Sequence, residues 1–286
     1  MSYRIITDNC CDFPAEMYED LNLSVVPLVV RFEGKEVSQY SEKWLKKMYA
    51  GLRAGEEATT AAANPQDWND VIEPVLAAGK DALVMTFSSG LSTTYQSAVI
   101  AATELSEKYP DRKIRVIDTL CASLGQGLLV WYACQKRDAG MGFDELAQWV
   151  EDNKMNLCMW FTVDDLMFLK RGGRISAATA LVGTMLQIKP VLHVDDEGHL
   201  INVARARGRK AAIDALAKKV GETGLPGAND TVFISHGDCI EEVKILEAIL
   251  KEKYGVKNVF TYYVGAVIGS HAGPGTIALF FMGNKR

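Results

Sequence analysis

Short apolar runs alternate with amphipathic segments along the first half of the chain. In the amphipathic segments, apolar residues recur every three or four positions, which is the spacing of one helix face. Alternating strands and helices predict βα units built around a mainly parallel sheet that the helices flank. The predicted strands are residues 3–7, 24–32, 82–87 and 114–117, with helices at residues 66–76 and from Tyr95 onward.

The pattern changes after Gly140. A helix at residues 143–153 leads into a stretch of long side chains, residues 161–188, which we predict to be mainly helical. A hairpin then turns around residues 196–198. Because that hairpin is followed by interleaved helices and strands, we predict a mixed sheet covered by helices. The remaining predicted elements are helices at 210–220 and 241–254 and strands at 232–235, 259–264 and 276–282.

The length of 286 residues suits two domains of moderate size. We therefore predict two α/β domains, with the mainly parallel sheet in residues 1–155 and the mixed sheet in residues 156–286. Turns rich in polar residues follow three of the predicted strands. Ligands of open α/β sheets bind beyond the carboxyl ends of the strands, so these turns are where a site is expected.

Composition narrows the classes of function. Apolar residues make up 48% and charged residues 23%, which is typical of a globular protein with ample core. The net charge of −5 leaves no broadly basic surface, so we expect no nucleic-acid partner. No long apolar window or export signal is present, which predicts a cytoplasmic protein without a transmembrane segment. The six cysteines lack zinc-ligand spacing, which predicts reduced thiols and no metal site.

The familiar catalytic motifs are missing. The chain has no phosphate-binding loop, no HExxH, no GxSxG and no GxGxxG after its first strand. The glycine pairs at Gly125 and Gly127 and at Gly172 and Gly173 lack dinucleotide spacing, so we expect them to serve turns or close packing. The sequence therefore favours binding over a familiar type of catalysis.

Three local segments could bind a ligand. Residues 88–96 (SSGLSTTYQ) follow an apolar strand and open a helix, where free N–H groups and hydroxyls form an anion site. The alternative is that these hydroxyls only cap the helix, which stabilises it by about 1 kcal/mol. Residues 265–275 place His271 among four glycines in a predicted loop, although a lone histidine is usually structural. Residues 59–65 (TTAAANP) are typical of a linker and helix cap.

Seven segments spread over the chain form a set that is more informative than any one of them. They are residues 6–14, 88–98, 116–119, 164–176, 189–192, 206–211 and 268–275. Taken together they resemble the DegV family, in that family's order and over essentially the whole chain. Each segment alone is a weak signal, whereas the set is specific.

The resemblance implies a bacterial fatty-acid-binding protein that has no catalysis and no cofactor of its own. It implies that a long-chain fatty acid lies between the two α/β domains, with its carboxylate held by neutral donors. It also implies a partner, a separate fatty acid kinase with a dihydroxyacetone-kinase-like domain, which converts the bound acid into an acyl phosphate. The family's carboxylate ligands fall here on Thr60, Ser92 and His271, with supporting positions at Ser89, Gly90, Leu91 and Gly273.

One motif departs from the family pattern. The usual Thr-Ser-Gln-Pro is Thr60-Ala61-Ala62-Ala63 here, so the threonine hydroxyl is kept and the adjacent serine donor is lost. Two basic stretches, residues 170–174 and 205–210, are either solvated faces or a docking surface, and the resemblance favours docking through Arg205 and Arg207. The rival hypothesis is a hydrolase or acyltransferase with Ser92 as nucleophile and His271 as base.

Overall fold

Three β-sheets organise the chain, as described by a computed structural model of residues 2–176, 187–284 and 286. The strands are β1 (Tyr3–Asp8), β2 (Ser24–Val26), β3 (Val29–Phe32), β4 (Lys35–Val37), β5 (Ala58–Ala61), β6 (Asp81–Thr86), β7 (Ile114–Asp118), β8 (Leu157–Thr162), β9 (Ile188–Val194), β10 (Leu200–Arg207), β11 (Thr231–His236), β12 (Asn258–Tyr263) and β13 (Ile277–Met282).

Ten α-helices lie within the described residues, together with 3-10 turns at Asn9–Cys11 and Lys154–Asn156. The helices are α1 (Ala15–Asp20), α2 (Glu42–Arg53), α3 (Pro65–Ala77), α4 (Thr94–Lys108), α5 (Leu124–Asp138), α6 (Phe143–Asn153), α7 (Met167–Arg171), α8 (Arg209–Thr223), α9 (Ile240–Tyr254) and α10 (Ala266–Ala272).

The first sheet has the strand order β2-β1-β6-β7, and each neighbouring pair is parallel. Successive side chains on a strand point to opposite faces, so Ile5 and Ile6 of β1 enter different parts of the core. Ile6 belongs to a cluster with Trp68 of α3 and Ala101 of α4. Ile5 belongs to a cluster with Leu128 of α5. Helices therefore cover both faces of this sheet, as predicted.

The second sheet is mixed, with the order β10-β9-β8-β13-β11-β12. Only β11 and β12 pair in parallel, and the last strand in sequence, β13, lies in the middle. One face packs on α8 and α9, and the other shares a core with α5, which is buried between the two large sheets. The resulting layers are helix, sheet, helix, sheet, helix. The predicted α/β class is confirmed, and the boundary at residues 155 and 156 stays a prediction.

The third sheet is small and antiparallel, with the order β4-β3-β5. It was not predicted. Residues 24–32 were expected to be one strand, but Pro27 lacks a backbone N–H and separates β2 from β3. Residues 59–65 were expected to be a linker, whereas Thr60 pairs with Val30 in β5. The site residue Thr60 is thus held on a strand.

Two further sequence predictions are wrong. Phe161 and Thr162, expected to begin a helix, end the fully buried strand β8, where burial on both faces removes the alternation that marks a strand. Residues 177–186 of that expected helical run lie outside the described residues. The expected loop around His271 contains the helix α10. Across the described residues, no helix is long and apolar enough to cross a membrane.

Candidate functional site

A cavity of about 800 Å³ lies between the two large sheets and the small one. Its wall is mainly apolar, and its volume lies in the range of small-molecule sites. Phe161 of β8 and Phe280 of β13 line it from the second sheet, and Phe87 lines it from the loop after β6. Each of the predicted carboxylate ligands, Thr60, Ser92 and His271, also lines this cavity.

Thr60 and His271 meet directly. Thr60 Oγ1 lies 2.8 Å from His271 Nε2, which joins β5 to the last turn of α10. Gly172 packs against the other side of the imidazole, where an added Cβ would collide with the ring. Burial, together with the nearby Arg174 charge, lowers the pKa of His271 to about 4. The imidazole is therefore neutral at physiological pH.

Arg174 is a site residue that sequence reasoning missed. It was noticed only as part of a basic stretch, whereas the structure places it in the cavity wall beside His271. Its Nε donates to the Leu91 carbonyl at 3.2 Å, and its Nη1 donates to the Gly172 carbonyl. Among the described residues no carboxylate lies within salt-bridge distance of it. Burial lowers the pKa of this guanidinium, as expected for a charge that water reaches poorly.

Ser92 lies two residues before the start of α4. Its Oγ accepts from the Thr94 N–H at 3.2 Å and lies 2.8 Å from Thr94 Oγ1. Ser92 thus supports the turn that leads into α4, although the N-cap residue itself, Thr93, makes no side-chain cap hydrogen bond. The same side chain borders the cavity, so its predicted contact with a ligand stays a prediction.

The turn before Ser92 uses most of its own N–H groups. Ser89 N donates to Asp118 Oδ1, Gly90 N donates to Ser88 Oγ, and Leu91 N donates to the Ser88 carbonyl. These three amides stabilise the turn and are not free to bind an anion, whereas the predicted anion site at the first turn of α4 stays a prediction. Gly90 also packs on the hairpin at Glu197 and Gly198, and Ser88 Oγ donates to the Gly198 carbonyl.

Gly273 ends α10 with a φ of +80° and packs against Phe168, so a side chain there would be strained and would also collide. Arg205 and Arg207 lie exposed on β10, the edge strand of the second sheet. Arg209, two residues further on, donates to the Gly275 carbonyl and so ties this region to the segment that follows His271. The supporting and docking roles of these residues stay predictions.

The geometry gives no support to the rival catalytic hypothesis. His271 Nε2 contacts Thr60, whereas Ser92 Oγ contacts Thr94. A histidine whose pKa is about 4 is also a weak base at neutral pH. In the described part of the chain, no cluster of three or more His, Cys, Asp or Glu residues is arranged to hold a metal ion.

Comparison with known proteins identifies the family. A family model described as an uncharacterised protein of the DegV family matches residues 2–284. The chain belongs to the DegV family. A DegV domain-containing protein of Clostridium perfringens is 43% identical over 286 residues, which cover 99% of this chain and 98% of that protein. The expectation based on the seven segments is confirmed.

Solved DegV structures share the whole fold. A DegV family protein from Thermus thermophilus, described as binding fatty acid, matches with a TM-score of 0.88 and 31% identity over 99% of this chain and 100% of that chain. A DegV lipid-binding protein from Thermotoga maritima matches with a TM-score of 0.87 and 29% identity over 100% of both chains. The DegV fold, with its parallel and mixed sheets, is therefore common to all three proteins.

Proposed function

We propose that this DegV-family protein binds a long-chain fatty acid in the cavity and presents its carboxylate to a partner fatty acid kinase. The main support is the position of Arg174 beside the Thr60–His271 pair in an apolar cavity, where this half-buried cation has no carboxylate partner among the described residues. Burying a charge is costly unless an opposite charge meets it. A ligand with an anionic head group and a long apolar tail would pair with Arg174 and fill the apolar part of the cavity.

The hydrogen-bond directions follow from the ligand. A carboxylate only accepts hydrogen bonds, so Thr60 must donate its O–H to it. His271 Nε2 then carries the hydrogen and donates to Thr60 Oγ1 across the 2.8 Å contact. His271 thus orients Thr60, while Arg174 supplies positive charge beside the neutral donors that the sequence predicted. The acyl chain adds about 0.8 kcal/mol for each buried CH₂.

The surroundings of the head group favour presentation to a partner. Glu57, three residues before Thr60, is 78% exposed and pairs with Arg171 at 3.8 Å. Arg171 and Glu57 both border the cavity, so this end lies close to the protein surface. Arg205 and Arg207 are exposed. They lie close in sequence to Arg209, which donates a hydrogen bond to the Gly275 carbonyl. A kinase that docks on these arginines would approach the carboxylate end.

The proposal is tested with octadecanoic acid and its uncharged methyl ester. We expect Thr60→Val to weaken binding of the acid by ~1 kcal/mol and Arg174→Gln by ~1.5–3 kcal/mol, with little effect on the ester. Thr103→Val, at an exposed threonine of α4, is the matched control and should change neither. Titration calorimetry measures the affinities, and native mass spectrometry checks for co-purified acid. Equal affinity of the wild type for acid and ester would contradict the proposal.

A further inference from the structure

The cavity wall contains a second group of polar side chains, Ser123 and Ser235, and the Asp12 carboxylate lies behind them. Ser123 Oγ donates to Asp12 Oδ2 at 2.5 Å and lies 2.9 Å from Ser235 Oγ. Both serines line the cavity, next to Ala278 and Phe280. Asp12 is 3% exposed, and Gly265 lies directly against its Oδ1.

This serine group is distant from the proposed carboxylate site. Gly265, just before α10, packs against the Asp12 carboxylate, and His271 lies in the last turn of the same helix. At 1.5 Å per residue, the two ends are about 9 Å apart along the helix axis. Since a C–C bond spans about 1.5 Å, an acyl chain that runs along this helix needs about six bonds or more to cover that length.

Ser123 is held in an unusual way. It precedes α5, where a serine normally caps the helix, yet its side chain makes no cap and turns to Asp12 instead. Its backbone has φ 56° and ψ −146°, a region that non-glycine residues rarely occupy. Ser123 is 4% exposed while Ser235 is fully buried, so Ser123 is the member that a ligand can reach. Strain of this kind is concentrated at ligand-binding positions.

The directions of the hydrogen bonds made by Ser123 determine which ligand group can pair with it. Ser123 gives its only hydroxyl hydrogen to Asp12, so Ser235 must donate to Ser123. Ser123 Oγ then keeps a lone pair toward the cavity and has no hydrogen to offer. Ser270 and Thr276, two other wall hydroxyls, donate to backbone carbonyls. A ligand therefore meets an acceptor at this position, and a hydroxyl donor matches it.

We propose that Ser123 accepts a hydrogen bond from a hydroxyl on the acyl chain, so that this protein binds fatty acids hydroxylated at a middle or distal carbon. The inference rests on the proposed function and narrows its ligand class. An unsubstituted chain leaves the remaining lone pair of Ser123 Oγ without a donor, whereas a hydroxyl at the matching carbon donates to it. An oxo group at the same carbon has no hydrogen to donate and does not fit.

The test compares octadecanoic acid with hydroxyoctadecanoic acids substituted between about the eighth and the fourteenth carbon, and with the matching oxo acids. The assay is done at about pH 8, where Asp12 is ionised. We expect at least one hydroxy acid to bind as tightly as octadecanoic acid and about tenfold tighter than its oxo partner. Uniformly weaker binding of every hydroxy acid would overturn the inference while leaving the proposed function standing. Failure of octadecanoic acid itself to bind would instead contradict the proposed function.

Two variants test whether the preference for hydroxy acids depends on Ser123 or on Ser235. Ser123→Gly removes the hydroxyl and suits the positive φ, so it should lower the affinity for the hydroxy acid relative to octadecanoic acid by about three- to tenfold. Ser235→Ala keeps the Ser123 acceptor and should retain the hydroxy-acid preference. Loss of that preference only in Ser235→Ala would overturn the assignment to Ser123. If Ser123→Gly does not fold, the wild-type comparison of hydroxy and oxo acids still decides.

Discussion

Burial moves the pKa values of acids and histidines in this protein in opposite directions. Burial raises the pKa of Asp8 to about 6 and that of Asp12 to about 7. It lowers the pKa of His236 and His271 to about 4. All four groups therefore favour their neutral forms in the folded protein, which is the expected response to poor solvation.

The two aspartates and the two histidines change the free energy of unfolding in opposite directions as the pH rises. Between about pH 4 and 7 the folded protein keeps a proton on Asp12 that the unfolded chain has released, so stability falls as pH rises. Between about pH 6.5 and 4 the unfolded chain protonates its histidines first, so stability falls as pH decreases. The contributions partly cancel, and the wild type should show a shallow pH dependence in this window.

Asp12→Asn should reveal how much the ionisation of Asp12 changes the free energy of unfolding. The variant has no carboxyl group to ionise, so its free energy of unfolding should rise relative to wild type as pH increases from 4 to 7. We expect a change of about 3 kcal/mol in that difference, which then stays constant above pH 7. Urea unfolding at several pH values measures it. A difference independent of pH would show that Asp12 keeps an ordinary pKa.

At the scale of elements, the sequence predicted the helices and strands in which apolar residues recur with a clear period. The parallel strands and the hairpin were found because their boundaries coincide with polar turns. β8 was missed because a strand buried on both faces loses its alternation. β5 was missed because its sequence, ATTA, is short and has no alternation of large apolar and polar residues, so that pairing with β3 fixes it. Such pairing depends on residues distant in the chain, which local patterns do not contain.

The site was predicted from motifs and not from geometry. Thr60 and His271 are 211 positions apart, and only folding brings their side chains into contact. Arg174 was seen as a surface charge because its burial depends on Leu91 and Gly172 accepting its hydrogen bonds. Gly125 was expected to serve close packing, which is confirmed by its contact with β8 and β13.

Gly125 of α5 gives a prediction about acyl chain length. A Cβ at this position would lie 2.8 Å from both Met159 Sδ and Phe280 Cδ1, and these side chains line the cavity. Gly125→Ala should displace them toward the cavity, shift bound acids to shorter chains and cost about 1–3 kcal/mol of stability. Mass analysis of extracted acids measures the shift. Gly142→Ala, where nothing lies within 4 Å, is the control, and identical acid profiles for both variants would refute the expected narrowing.

At the scale of the whole molecule, the proposed docking of a partner kinase on Arg205 and Arg207 predicts a dependence on charge. Arg207→Glu leaves the cavity wall untouched, so fatty acid loading should persist. Acyl phosphate formation by the partner kinase should fall at low ionic strength, and the difference from wild type should shrink as salt screens the attraction. Kinase rates at two salt concentrations measure this, with Lys253→Glu in the last turn of α9 as the control. If both variants match the wild type at low salt, this surface does not dock the kinase.

Strand β13 is the last described strand to leave the ribosome, yet it lies in the middle of its sheet. Until it is made, β8 and β11 expose unpaired edges that favour aggregation. The same nascent chain has no Ala278 or Phe280 to close its cavity. If the protein binds a fatty acid as proposed, loading therefore has to follow synthesis of β13, and we expect a chain that stops before β13 to bind no ligand and to aggregate.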